Sequence, residues 1–246
     1  MSATVPPMPV MILAAGRGER MRPLTDHCPK PLLPVGGKPL LVWHLERLSA
    51  AGFDRVVINH AHLGEHIVAL LGDGSAWGVN ITYSAEPPGA LETAGGIVHA
   101  LPCLGEGPFL VINGDIWCDW PPARARDALK AGDWAHLILV PNPPHHQQGD
   151  FFCADGRVSD TAPASAQRHT FAGIGVYHPR LFADLQPGCR ASLAPVLRAA
   201  MRTGQVSGDI YQGRWDDVGT PQRLQALDHY LLGQTTPPSF RGEMHP

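Results

Sequence analysis

The segment LAAGRGERMRPLT, Leu13 to Thr25, sets two glycines, Gly16 and Gly18, among three arginines, Arg17, Arg20 and Arg22, directly after an apolar run. Small residues let a backbone approach a flat base and a polyphosphate closely. The N–H groups of such a turn form a concavity for anions, and guanidinium groups add charge-assisted hydrogen bonds. Glycines alone do not separate this from an ordinary turn between strand and helix. The spacing is neither the dinucleotide G-x-G-x-x-G nor a phosphate loop ending in G-K-[ST]. Lys30 follows between Pro29 and Pro31. Flanking prolines stiffen the backbone and hold an ammonium towards a phosphate at small entropic cost; a solvated surface lysine is the plain alternative.

Two carboxylates lie further along. Asp115 ends VINGD, Val111 to Asp115, and Asp217 lies in WDDVGT, Trp215 to Thr220. The first reads as the carboxyl end of a buried strand, where α/β folds gather ligands. Two carboxylates with phosphate oxygens and waters suit Mg²⁺. For Asp115 the alternative is an Asn-Gly-Asp turn, since all three are turn formers. The adjacent His145 and His146 do not share a helix face, and in a loop they read as solvated or substrate-contacting rather than as metal ligands.

The elements that must position these residues alternate. MILAA, RVVINH, NITYSAE, PFLVINGD and AHLILVPN read as strands. LLVWHLERLSAAG, HLGEHIVALL and ALETAGGIVHALPCLG read as helices between them. This order predicts an α/β fold: a Rossmann-like, mainly parallel sheet with helices on both faces. After Asn142 a hairpin with an Asp155-Gly156 turn, a strand in FAGIGVYHP, a helix in ASLAPVLRAAMRTG, two short strands and a closing helix predict an antiparallel substrate-binding half. A single domain over residues 9–232 is expected, with a flexible lead-in at 1–8 and a disordered tail at 233–246. No internal repeat or hexapeptide array is present.

Composition fits a globular enzyme, with 44% hydrophobic and 17% charged residues in 246. A net charge of −3 declares no basic face for nucleic acid or an acidic membrane. The N-terminal stretch lacks a charged leader region, and no run approaches the roughly 20 apolar residues of a membrane helix. Five scattered cysteines without C-x-x-C spacing argue against a disulfide framework or a zinc site and for a reducing, cytoplasmic setting.

The run LAAGRGERMRPLT, continued by PKPLLPVGGKPL, resembles the signature of the sugar-nucleotide pyrophosphorylases, or sugar-1-phosphate nucleotidyltransferases. The likeness recurs in order. LETAGGI (Leu91 to Ile97) resembles the family's base-reading loop, VINGD its metal-binding strand end and WDDVGT its second metal aspartate, together spanning about residues 9–232. GERM in the first turn, VINHAHLGEHI, LGDGSAWG and NPPHHQQGDF look like one branch, the N-acetylmuramate α-1-phosphate uridylyltransferases of bacterial cell-wall recycling.

The resemblance implies the nucleotide-diphospho-sugar transferase fold and Mg²⁺-dependent transfer of a nucleotidyl group. The donor would be UTP (or another triphosphate) and the acceptor a sugar 1-phosphate. For this branch the products are UDP-N-acetylmuramate and pyrophosphate. Glucose-, mannose- or heptose-1-phosphate with UTP, dTTP or GTP is the alternative within the class, and a non-catalytic nucleotide-binding subunit the alternative outside it.

Carried over by position, Leu13, Ala14, Ala15, Gly16, Arg17, Gly18, Glu19, Arg20 and Lys30 would bind nucleotide, with Gly89, Leu91, Glu92 and Thr93. Arg20 on the β/γ-phosphates and Lys30 on the α-phosphate would be catalytic. Asn113, Gly149, Asp150 and Gly173 fall at sugar contacts, and Asp115 and Asp217 at the metal, with Asp216 in the variable position. Many relatives also carry a Glu-Lys-Pro motif whose lysine holds the sugar phosphate. Between Phe152 and Phe171 this chain has no lysine, leaving Arg157 or Arg168, or the metal with Lys30, for that task. A muramate acceptor also calls for a cation near its lactyl carboxylate.

Overall fold

A computed structural model describes residues 7–87, 89–162 and 167–235. Most of the expected lead-in and tail lies outside the described residues. β1 (Val10–Leu13) is wholly apolar, as suits a strand covered on both faces. Its side chains alternate: Val10 and Ile12 enter one core, Met11 the other. A small hairpin, β2 (Pro34–Val35) and β3 (Lys38–Pro39), leads into α1 (Leu40–Ala50), whose Leu41, Leu45 and Leu48 recur at helical spacing and pack into the first core. β4 (Arg55–His60), α2 (Gly64–Leu71), β5 (Asn80–Ala85), α3 (Glu92–Leu104) and β6 (Phe109–Asn113) follow.

β7 (Ile116–Cys118), α4 (Ala125–Ala128), β8 (Ala135–Val140), β9 (Phe151–Ala154), β10 (Arg157–Ser159) and β11 (Arg168–Tyr177) come next. α5 (Leu193–Arg202), β12 (Val206–Ile210), β13 (Trp215–Asp217) and α6 (Pro221–Thr235) complete the described chain. α6 thus continues past residue 232, where the sequence pattern ended the domain.

Among the described residues the main sheet has nine strands in the order β5-β4-β1-β6-β11-β8-β12-β10-β9. The first four are parallel, so β1, β4 and β6 end on the same edge. β8 does not neighbour β6. β11 returns from later in the chain and fills the gap, antiparallel to both, with an irregularity between Phe171 and Ile174. β9 and β10 pair across the Asp155-Gly156 turn. One core lies under α1 and α2, the other under α3 and α5. A third cluster, with Met21, Leu40, Trp117, Val218 and Leu227, fixes α6 against β7 and the loop before β2. No described helix is long and apolar enough to cross a membrane.

Candidate active site

Three cavities open at the shared edge of β1, β4 and β6. The first, of about 360 Å³, is bounded by the turn after β1, by Lys30, and by Ala90, Glu92 and Thr93. The second, of about 400 Å³, has walls of Phe151, Phe171, Leu193 and Leu197 with Asp150 and Ser192. The third, of about 310 Å³, is polar and gathers Arg20, Asp115, His145, His146 and Asp217. Asn113, at the end of β6, borders all three. Its side-chain amide has no protein partner among the described residues. A Cβ on Gly173 would lie 2.6 Å from that amide nitrogen, so glycine there makes room for Asn113.

The turn after β1 contributes Leu13, Ala14, Ala15, Gly16, Gly18, Glu19 and Arg20 to the first cavity. Apart from its own chain neighbours, no protein atom lies within 4 Å of where a Cβ on Gly16 would be. That space belongs to the cavity rather than to packing. The arginines divide. Arg20 is exposed, borders the first and third cavities, and has no protein partner among the described residues. Arg17 turns away: Nη1 donates to the Thr25 carbonyl (2.6 Å) and Nη2 to Asp26 (2.8 Å). That hydrogen bond, helped by Arg22 at 2.9 Å, holds the Asp26 carboxyl below the usual carboxylate range. Arg17 braces the loop and does not line the cavity.

Lys30 opens a 3-10 turn between its two prolines and is only 8% exposed, with Nζ 2.5 Å from Asp115 Oδ2. Asp115 and Asp217, distant in sequence, are joined by the β7–β13 ladder. Asp217 pairs with Ile116, and Val218 N–H donates to the Asp115 carbonyl at 2.8 Å. Strand alternation sends Asp217 into the third cavity and Asp216 to the other face. There burial raises the Asp216 pKa against the opposing pull of Arg214, 2.8 Å away. Asp217 is held by Arg223 Nη1, 2.9 Å from each oxygen, and by His145 Nε2 at 2.9 Å.

In the expected base-reading loop, Glu92 and Thr93 border the cavity but Gly89 and Leu91 do not. Glu92, at φ 59°, is pinned by Arg190 Nε (2.8 Å) and by the Ser192 hydroxyl. Of the expected sugar contacts, Asn113 and Asp150 border the second cavity and Asn113 and Gly173 the third, whereas Gly149 lines neither. Asp150 has donors at both oxygens: Phe171 N–H at 2.8 Å and His146 Nε2 at 3.1 Å. Asn142 closes the histidine loop, donating to the Gln147 and Arg168 carbonyls and accepting from the Thr170 hydroxyl.

Neither arginine considered for the acceptor phosphate lines any of these three cavities. Arg157 pairs with Asp133 at 2.5 Å, and Arg168 with Asp160 while lying over the Phe152 ring. Sequence reasoning missed Asn59, Glu86 and Arg223. Each acts through partners far along the chain, and no local motif marks them.

The sequence profile described as nucleotidyl transferase matches residues 9–232. The chain is 54% identical over 221 residues to N-acetylmuramate alpha-1-phosphate uridylyltransferase of Neisseria meningitidis serogroup B, covering 89% of this chain and 96% of that one. It is 36% identical to the protein of the same name from Caulobacter vibrioides, covering 92% and 97%. The fold superposes on the crystal structure of HddC from Yersinia pseudotuberculosis complexed with GMP-PN, with a TM-score of 0.75 at 20% identity, covering 91% of this chain and 99% of that one. With the profile spanning both halves of the sheet, the chain belongs to the nucleotidyl transferase family.

Proposed function

We propose that the protein transfers the uridylyl group of UTP to N-acetylmuramate α-1-phosphate, releasing pyrophosphate and supplying UDP-N-acetylmuramate for peptidoglycan recycling in the cytoplasm. The observation that carries the reading is the 54% identity along nearly the whole of the Neisseria relative. The five cysteines, all free, accord with a reducing compartment.

The reaction joins two polyanions. An ionised oxygen of the sugar phosphate attacks the α-phosphorus, the new P–O bond forms, and the bond to the β-phosphate oxygen breaks as pyrophosphate leaves. The nucleophile is already charged near neutral pH, so no general base is needed. In this reading the base and ribose occupy the first cavity, and Arg20, uncommitted and between two cavities, meets the phosphates. Lys30 meets the α-phosphate while screening Asp115. The sugar lies beyond Asn113, its apolar parts against Phe151, Phe171 and Leu193 and its phosphate towards Arg20 and the His145–His146 loop. Those histidines take the place left by the missing lysine.

The donor set also fits Mg²⁺. No group of three or more His, Cys, Asp or Glu side chains converges among the described residues. Mg²⁺, however, is commonly held by one or two carboxylates together with phosphate oxygens and water, which is what Asp115 and Asp217 offer. Bound there, it would supply a template for the phosphates and Lewis-acid stabilisation of the charge building at the α-phosphorus.

Incubating the protein with Mg²⁺, each of several sugar 1-phosphates and each triphosphate, and following pyrophosphate release, tests the proposal. UTP with N-acetylmuramate 1-phosphate should turn over fastest. Turnover of glucose 1-phosphate without N-acetylmuramate 1-phosphate would overturn the acceptor.

A further inference from the structure

Two largely buried side chains that themselves line the first cavity form a continuous chain of hydrogen bonds between its two walls. Asn59, at the end of β4 and 3% exposed, accepts from Ala14 N–H through Oδ1 at 2.8 Å. Its Nδ2 donates to Glu86 Oε1 at 2.6 Å. Glu86, 9% exposed, accepts from Leu91 N–H through Oε2 at 2.7 Å. Ala14 belongs to the glycine-rich turn and Leu91 precedes α3, so the chain ties together the two backbone segments that border the cavity. Glu86 has no cationic partner among the described residues; its two oxygens are met by N–H groups. α3 leaves the space for it, since a Cβ on Gly96 would come within 2.4 Å of Glu86 Oε1.

The donor logic restricts which residues can do this. Both ends of the chain are backbone N–H groups, which only donate. With carboxylates ionised, the two side chains between them must therefore comprise one amide and one carboxylate. An amide at both positions leaves two donors facing each other, and a carboxylate at both leaves two acceptors.

We infer that Asn59 and Glu86 are positioning residues that set the width of the nucleotide cleft, holding the 89–93 loop at a fixed distance from the Gly16 turn. This rests on the reading of the first cavity as the nucleotide site. Neither side chain needs to touch the reacting phosphates. Their effect falls on triphosphate capture rather than on the sugar, whose cavities they do not border.

The test exploits the donor logic. Glu86→Gln and Asn59→Asp each place like groups face to face. Each is expected to raise the KM for UTP by about tenfold or more, the effect of an unsatisfied buried polar group. The KM for the sugar 1-phosphate should stay within about twofold, against that same buried-group effect as yardstick. The double variant Asn59→Asp with Glu86→Gln reverses the central bond while keeping shape and net charge. The carboxylate now at position 59 accepts from Ala14 N–H and from the amide now at position 86, whose oxygen accepts from Leu91 N–H. The exchange should bring the KM for UTP back to within about threefold of the parent, as coupling across a shared network requires.

Hydrogen exchange in the free protein supplies the readout independent of turnover. The Leu91 amide should exchange faster in each single variant and regain protection in the double. If a single variant does not fold, recovery of folding in the double is the same result. A double variant no better than the two single effects combined, or a Leu91 amide indifferent to Glu86→Gln, overturns the inference. Absence of UTP turnover by the parent protein would instead count against the proposed function, with the exchange result still deciding the relay.

Discussion

Arg223 reaches from the first turn of α6 to Asp217, its Nη1 lying 2.9 Å from both carboxylate oxygens. In the proposed reading Asp217 would hold Mg²⁺, and a side chain that fixes the orientation of a metal carboxylate typically contributes about 10–100-fold to metal affinity or activity. Arg223→Ala is therefore expected to lower kcat/KM by about that factor and to raise the Mg²⁺ concentration for half-maximal rate. Lysine, a point charge on a flexible stem, should rescue only part of it. Mn²⁺ binding followed by electron paramagnetic resonance checks the metal arm apart from turnover. Unchanged binding would remove Arg223 from the site.

The neighbouring aspartates should separate as sharply. Asp217 faces the third cavity and Asp216 faces Arg214. Asp217→Asn is expected to reduce the rate by about 10²–10³, as for loss of a charged transition-state contact. Asp216→Asn, which removes a buried carboxylate whose pKa is already raised, should leave kcat within a few-fold. Equal losses in the two variants would mean that the ladder does not sort them as described.

Arg17 and Arg20 make a second such pair. Arg17→Ala removes the contacts to Thr25 and Asp26 and should lower the unfolding midpoint in urea. Arg20 has no partner among the described residues. Arg20→Ala should leave the unfolding midpoint in urea unchanged and raise the KM for the triphosphate. Denaturation and initial-rate curves on the two variants decide it, and a stability loss confined to Arg20→Ala would reverse the assignment.

This pair marks where sequence reasoning stops. The glycine-rich turn, Lys30 between prolines, and an aspartate at a strand end are local patterns, and the alternation of apolar strands with amphipathic helices carries the α/β layers. Three arginines within six residues, by contrast, are indistinguishable by type. The turn after Gly18, with φ 70°, and the position of Asp26 decide which points outward. Asn59 and Glu86 lie 27 residues apart and Arg223 a further stretch of chain away from both, so their roles follow only from how strands stack. The same holds for β11. Its apolar run reads as a buried strand, but nothing in its pattern tells that it lies antiparallel between β6 and β8.

The histidine loop carries the acceptor side of the proposal. His146 Nε2 is 3.1 Å from Asp150, whose other oxygen accepts from Phe171 N–H, so the imidazole is braced at the mouth of the third cavity. His146→Ala is expected to raise the KM for the sugar 1-phosphate several-fold with the KM for UTP unchanged, because the residue borders the third cavity and not the first. Initial rates with each substrate varied in turn read this directly. A change confined to UTP would place the acceptor elsewhere.

His44 gives the protein a pH dependence of stability separate from its chemistry. Burial in α1 pushes its imidazole down to about 4, against the opposing pull of a bond to the Ile116 backbone, and Nε2 has no partner among the described residues. In the unfolded chain the ring titrates near its ordinary value of 6.5. Above that pH neither state binds the proton and the group contributes nothing. Between there and about 4 the unfolded chain binds a proton that the native state refuses, so stability falls as pH falls. The full difference is roughly 3 kcal/mol, and about 2 kcal/mol of it is lost by about pH 5. Urea denaturation at about pH 7.5 and about pH 5 should show the parent losing more stability than His44→Leu by that amount. Leucine keeps the apolar packing of the helix and removes the titrating group. Equal losses in parent and variant would assign the acid sensitivity to other groups.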